Sequence, residues 1–247
     1  MKIITGINNF NVDQVLEIVK VADIAGATYL DVAANRIIVK EVRKNTNLPI
    51  CVSSISLQDL YNAALEGVDV IEIGNYDYFY ENNIYFSQKQ ILSLAQEAMK
   101  LFPSIDICVT IPHTLLLNEQ IYLSCQLEYL GIKILQTEGL KSKSSLSGSS
   151  LIQFMNKAYP ALSATYAISQ SVKIPVIASS GMNLVSASLA ILYGASGVGI
   201  GTSVKNCPTF RKKLIYMQEV MNSMEKSKIL SPSYYLSSIQ NLNHLVV

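Results

Sequence analysis

Eight short apolar runs, spaced by longer amphipathic segments, constrain this chain more than any single motif. The runs are KIITGI (2–7), TYLDVAA (28–34), PICVSS (49–54), VIEIGN (70–75), DICVTIP (106–112), ILQTEG (134–139), PVIASSG (175–181) and GVGIGT (197–202). They are rich in Ile and Val and nearly continuous in hydrophobicity, as strands buried on both faces are. Between them, apolar residues recur at helical spacing: Val12, Val15, Leu16, Val19 and Ala22 in one segment, Leu57, Leu60, Tyr61, Ala64 and Leu65 in another. Gly67, Gly131 and Gly194 stand where helices should end, and a helix expected over 87–101 is followed by Pro103. Eight strand–helix units in 247 residues predict one α/β domain, a single (β/α)8 TIM barrel. An open doubly wound sheet is the runner-up, but the count reaches eight and no GxGxxG follows the first run.

The barrel is expected over 1–225, with a C-terminal tail over 226–247. That tail either caps the barrel or contacts a partner subunit, which leaves a homo-oligomer open. The Ser-rich stretch 140–157 breaks the repeat after the sixth run. It reads as a flexible excursion on the face where barrel lids lie, or as a tolerated insertion.

Composition excludes several classes. Half the residues are hydrophobic and 15% are charged, so the chain is not a disordered one. Lys plus Arg is 19 and Asp plus Glu is 18, and nothing in that balance calls for nucleic acid or an anionic membrane. No run approaches the ~18 consecutive apolar residues of a spanning helix, so no membrane insertion is expected. The opening MKIITGINNF has neither a secretory nor a transit-peptide pattern. Cys51, Cys108, Cys125 and Cys207 lie far apart without a CxxC. They read as free thiols in a reducing compartment, either cytosol or plastid stroma, and not as a zinc site.

The strongest constellation is IPVIASSGM … YGASGVGIGTSV, over 174–204. A phosphate needs several backbone N–H groups converging on one point, and glycine lets the backbone come close. In barrels the loops after strands seven and eight commonly supply them. Gly181, Met182 and Asn183 form one such loop here, and Gly201, Thr202 and Ser203 the other, with two hydroxyls to donate as well. This quarter resembles the phosphate-binding aldolase-type barrel superfamily, which includes flavin-dependent oxidoreductases, thiazole synthase and sugar-phosphate epimerases. The competing reading is that these glycines only let helix and strand pack closely.

Polar residues inside the strands supply the candidate chemistry. Asp31, Glu72 and Glu138 lie on strands near the mouth, where an unpartnered carboxylate costs several kcal/mol. Carboxylates sharing one mouth raise each other's pKa, which suits general acid/base work. His113, just after Pro112, is a second candidate proton carrier, and Asn75 could orient a substrate. Each carboxylate could instead bond a loop or a basic residue. The aromatics Tyr76, Tyr78, Phe79 and Tyr80 could stack on a planar ligand or pack their own loop. No lysine stands near the C-terminal end of a strand; Lys133 and Lys173 precede the sixth and seventh. Schiff-base aldolase and thiazole-synthase chemistry, which want an inward lysine, are therefore disfavoured. Flavin oxidoreductases of this fold usually set a basic residue against the flavin, where Gln136 stands here. No metal-ligand spacing appears, although the three carboxylates could in principle hold Mg²⁺.

Several blocks together resemble one family. They are ITGINNF (4–10), AGATYLDVAA (25–34), LPICVSS (48–54), VDVIEIGNYDYFY (68–80), ICVTIPHTLLL (107–117), LGIKILQTEG (130–139), PALSATYAISQSVKIPVIASSG (160–181) and GASGVGIGTSV (194–204). Block by block and in order, they are similar to the plastid and cyanobacterial family called hypothetical chloroplast open reading frame 23. The resemblance implies an aldolase-type barrel, plastid-encoded in an alga and working in the stroma; it carries no reaction over. Three functions are left: an acid/base isomerase, epimerase or lyase on a small phosphorylated metabolite; a barrel binding flavin mononucleotide (FMN); or a non-catalytic ligand-sensing or partner-binding barrel.

Overall fold

The structure, a computed structural model, describes residues 1–74, 76–139 and 150–229. The first half runs β1 (Lys2–Gly6), α1 (Val12–Ala25), β2 (Tyr29–Ala33), α2 (Arg36–Asn45), β3 (Ile50–Ser54), α3 (Leu57–Ala64), β4 (Val70–Ile73), α4 (Asp77–Glu81) and α5 (Gln88–Leu101). The second half runs β5 (Asp106–Ile111), α6 (Leu117–Leu130), β6 (Ile134–Thr137), α7 (Ser150–Ser169), β7 (Val176–Ala178), α8 (Leu184–Leu192), β8 (Gly197–Ile200), α9 (Thr202–Lys205) and α10 (Phe210–Ile229). The strands pair in parallel in chain order, and β8 returns to β1 to close the barrel. The TIM-barrel expectation holds, with every expected strand present.

Local chemistry sets the boundaries. Asn11 caps α1 by accepting from the Gln14 N–H, and Asn35 caps α2 through two amides. Ser87 and Gln90 form a reciprocal capping box on α5. The sixth and seventh strands stop at Thr137 and Ala178, short of the apolar runs, so Glu138 and Ser179 to Gly181 leave the ladder at the mouth. The Ser-rich stretch is shorter than expected. Residues 150–157 already belong to α7, while 140–149 lie outside the described residues. Residues 226–229 complete α10, and the rest of the expected tail, with Asn75, also lies outside the described residues.

Strand alternation divides the protein into two interiors. Outward residues such as Ile3, Leu30, Val52, Ile71, Val109 and Leu135 are buried beneath the helices, against Val15, Ile38, Leu60, Ile91 and Leu123. Inward residues are mostly polar, where barrels of this kind usually stack branched aliphatics. Asp31, Ser53, Glu72, Thr110, Gln136 and Ser179 all face the axis, each buried.

One cation holds that polar layer together. Lys2, on β1, is fully buried and sends its ammonium toward three other strands. It pairs with Asp31 Oδ2 on β2 at 2.8 Å, donates to Gln136 Oε1 on β6 at 2.8 Å, and forms a short ion pair with Glu72 on β4. The three donors of an ammonium are thereby used. Burial alone would depress the Lys2 pKa, but Asp31 and then Glu72 outweigh it and hold the amine well above its ordinary value. Among the described residues no buried side-chain polar atom is left without a partner. Removing the ammonium would leave two buried carboxylates uncompensated, so Lys2→Met should lose about 3–5 kcal/mol of stability in urea unfolding. Adding Glu72→Gln to Lys2→Met should restore part of that loss.

Candidate functional site

The C-terminal mouth of the barrel opens into a cavity of about 390 Å³. Asp31, Glu72, Gln136 and Gly199, from the even-numbered strands, form its floor; Ile4, Ser53 and Thr110, from odd ones, and Ser179, just after β7, stand above. Glu138 and the loops after β7 and β8 complete the rim.

The floor is a closed hydrogen-bond network. Glu72 Oε1 accepts from Gln136 Nε2 at 2.8 Å and from Thr110 Oγ1 at 3.1 Å, while Oε2 is taken by Lys2. Asp31 Oδ1 accepts from Ser53 Oγ at 2.8 Å. Gly74 permits this closeness, because a Cβ there would lie 2.7 Å from Thr110 Oγ1 and 2.9 Å from Glu72 Oε1. An inward lysine that the sequence did not single out is Lys2, which opens β1 instead of standing near a strand's C-terminal end. It lies below Asp31 and Glu72, and it is not part of the cavity wall. Its protonated, fully engaged amine offers no lone pair for Schiff-base attack.

Glu138 belongs to a different group. Its Oε1 accepts from Tyr80 Oη at 2.6 Å and from the backbone N–H of His113 at 2.9 Å, and lies 2.9 Å from His113 Nδ1. With the carboxylate ionised, Nδ1 is the donor in that contact. His113 itself is not part of the cavity wall; it reaches the cavity only through Glu138. Tyr80 also meets the His113 ring edge-on, with centroids 5.0 Å apart. Tyr76 is buried and donates to the Thr110 carbonyl at 3.0 Å. Tyr76 and Tyr80 therefore brace this side of the mouth, the packing alternative for the aromatic cluster. The three carboxylates share one cavity but not one cluster. Among the described residues no three His, Cys, Asp or Glu side chains gather as a metal ion requires. Between Asp31 and Glu72 the positive charge is that of Lys2.

Next around the rim, Gly181, Met182, Gly201, Thr202 and Ser203 line the cavity. Ser180 and Gly181 are both left-handed, with φ of 67° and 70°, and a non-glycine residue held there is strained. Ser203 Oγ donates to the Met182 carbonyl at 3.0 Å, so its hydroxyl ties the two loops together. Asn183 plays a structural part instead. Its Oδ1 caps α8 by accepting from Val185 and Ser186 N–H, and it does not line the cavity. Thr202 and Ser203 open α9, and first-turn amides have no acceptor within their own helix.

Lys205, at the end of α9, was not marked by the sequence. It lines the cavity wall with much of its surface exposed, and partial burial lowers its pKa. Its ammonium lies over Gly6, where a Cβ would collide with it and where φ of 107° already favours glycine. Cys51 and Cys108 are free and buried beside the floor, where burial raises their thiols well above the ordinary value.

The floor carries one measurable proton. Burial, opposed by Lys2, pushes the Asp31 carboxyl up to about 6. A carboxyl raised on folding adds stability below its unfolded pKa and loses it as pH rises through the folded one. Asp31→Asn should therefore gain on the wild type between pH 4 and pH 6.5, by on the order of 2–3 kcal/mol in denaturant titrations.

Comparison with known proteins agrees with this architecture. A thiamine phosphate pyrophosphorylase from Pyrococcus furiosus superposes with a TM-score of 0.61 at 20% identity, covering 92% of this chain and 95% of its own. A (S)-3-O-geranylgeranylglyceryl phosphate synthase from Thermoplasma acidophilum, in complex with its substrate sn-glycerol-1-phosphate, gives 0.57 at 12% identity, covering 91% and 92%. Such identities establish the fold alone. Among described residues no helix is long and apolar enough to cross a membrane. An Antithamnion sp. relative, described as uncharacterized protein ycf23, is 45% identical over 236 residues, 92% of this chain and 84% of the relative. Residues 1–230 match the family described as protein of unknown function DUF561, and the chain belongs to that family.

Proposed function

We propose that this protein binds a small phosphorylated metabolite in the barrel mouth and moves a proton on it, as an isomerase, epimerase or lyase does, in the plastid stroma. The observation that carries the reading is the division of labour around one cavity. The backbone-rich loops at Gly181–Met182 and Gly201–Ser203 form one sector of the rim, and Glu138, braced by Tyr80 and His113, the adjoining one. Loops after the seventh and eighth strands are where barrels hold phosphate. The structural relative solved with sn-glycerol-1-phosphate supports that class of ligand.

In this reading Glu138 is the catalytic acid/base. Tyr80 and His113 are positioning residues that fix its Oε1 by three bonds. Glu72 and Asp31 are not proton carriers in the reaction; their bonds to Lys2, Gln136, Thr110 and Ser53 make them the polar floor on which the substrate rests. FMN could set its phosphate in the same loops. However, the strand-six residue that would face its ring is the neutral Gln136, already spent on Glu72 and Thr110, so no hydride step is assigned.

Native mass spectrometry of the purified protein should reveal a phosphorylated adduct, and an adduct of FMN mass would replace this reading with the flavin one. Matched sugars and sugar phosphates should separate in thermal-shift assays, only the phosphorylated partners stabilising the protein. With a binding ligand in D₂O, exchange of a carbon-bound hydrogen followed by NMR should slow at least ~100-fold in Glu138→Gln while binding persists. Exchange unchanged in that variant would remove Glu138 from the chemistry.

A further inference from the structure

A second cavity, of about 710 Å³, adjoins the first. It lies outside the barrel mouth between the loop after β1, the first turns of α1 and the start of α10. The two cavities share three lining residues: Gly6, Ile7 and Lys205. Lys205 therefore stands on the seam between them, its side chain laid across Gly6.

The charges in this region are unequal. Lys213, in the outer cavity, is already paired with Glu17 at 2.7 Å, so those two cancel. The remaining polar lining, Asn8, Asn9 and Gln14, is neutral and hydrogen-bonding. Among the described residues no acceptor or carboxylate neutralises Lys205, and burial is what lowers its pKa. A cation standing on the seam of two cavities with no counter-charge is most favourable where a ligand brings the anion. That anion would lie at the seam, with space for ligand on both sides.

We propose that the phosphate bound here is linked at both ends, as in a phosphodiester or a diphosphate conjugate. Its anionic centre meets Lys205 and the loop at Gly201–Ser203, one organic half enters the barrel over the Asp31–Glu72 floor, and the other, neutral and polar, lies in the outer groove against Asn8 and Gln14. The proposal rests on the phosphate reading above and narrows its ligand class. A terminal phosphomonoester would fill only the inner cavity and leave the groove to water.

Ribose 5-phosphate and ADP-ribose make a matched pair of probes, because the second contains the first extended through its phosphate. Isothermal titration should show ADP-ribose binding at least tenfold more tightly. Lys205→Met should weaken both at least tenfold, and Lys205→Arg, which keeps the charge, should recover much of the loss if the fold is intact. Gln14 is exposed on α1, and Gln14→Trp, which fills the groove, should erase most of the margin between the two probes. Equal affinity for both probes, or a margin unchanged in Gln14→Trp, would overturn the two-ended ligand while leaving phosphate binding in place. If neither probe nor any phosphorylated compound binds, both readings fall.

Discussion

The ammonium of Lys2 is the interaction on which the inside of this barrel depends. Barrels of this type are ordinarily filled with branched aliphatic side chains, whose packing is non-directional and tolerant. Here the layer beneath the mouth is built from Asp31, Glu72 and Gln136, on strands that are not neighbours. A buried carboxylate is tolerable only with a partner close by and its lone pairs occupied. Lys2 supplies the partner for both carboxylates at once, and its third hydrogen orients Gln136 so that the amide can donate to Glu72 and Thr110. Four strands are thereby held in one register across the axis. The result is a floor that is polar toward the cavity yet rigid, which an aliphatic layer could not be.

That rigidity changes what the carboxylates can do. A general acid or base must reach its substrate and change its proton count during the reaction. Glu72 accepts on both oxygens from donors that are themselves fully committed, so protonating it would break the network that supports the mouth. Glu138 is held differently. All three of its donors converge on Oε1 from Tyr80 and His113, outside the floor network, and the residue lines the rim of the cavity. The same residue type at the same end of the barrel thus has two physical roles, set by whether a lysine or a tyrosine–histidine pair is its neighbour.

How far this was legible from sequence follows from the range of each interaction. The strands and helices were visible because hydrophobic periodicity is local, and the barrel because eight repeats allow few closures. Asp31, Glu72 and Glu138 stood out because carboxylates inside apolar runs are costly wherever they point. Their grouping was not visible: Lys2 is 70 residues from Glu72 and 134 from Gln136, and a lysine opening a strand reads as its solvent-facing lead-in. Only its phase with Ile4 and Gly6, which line the mouth, marks it as inward. Asn183 could have been assigned correctly, since Asn directly before an apolar helical run is a cap by local chemistry. Lys205 carried no local signal at all, because its significance comes from Gly6 on a strand far away in the chain.

Two strand ends with irregular backbone lie where the ligand is proposed to bind. β1 slips its register against β2 between Ile4 and Gly6, and Gly6 then turns to positive φ. Two strands around the barrel, Ser180 and Gly181 also take positive φ after the end of β7. A non-glycine residue in the left-handed region costs on the order of 1 kcal/mol, and it persists only where surrounding contacts over-determine it. Those contacts are present: Ser203 ties Met182 to the loop after β8, Ser186 donates to the Gly181 carbonyl, and Lys205 lies across Gly6. Gly6, Ser180 and Gly181 all line the cavity. At the opposite end of the barrel the positive-φ positions are Gly26, Gly67, Gly131 and Gly194, each just after a helix and before the next strand, where glycine adopts that conformation without strain. Ser180, a non-glycine residue held left-handed just after a strand, thus lies at the end that would hold an anion, a few residues beyond the rigid polar layer built on Lys2, Asp31 and Glu72.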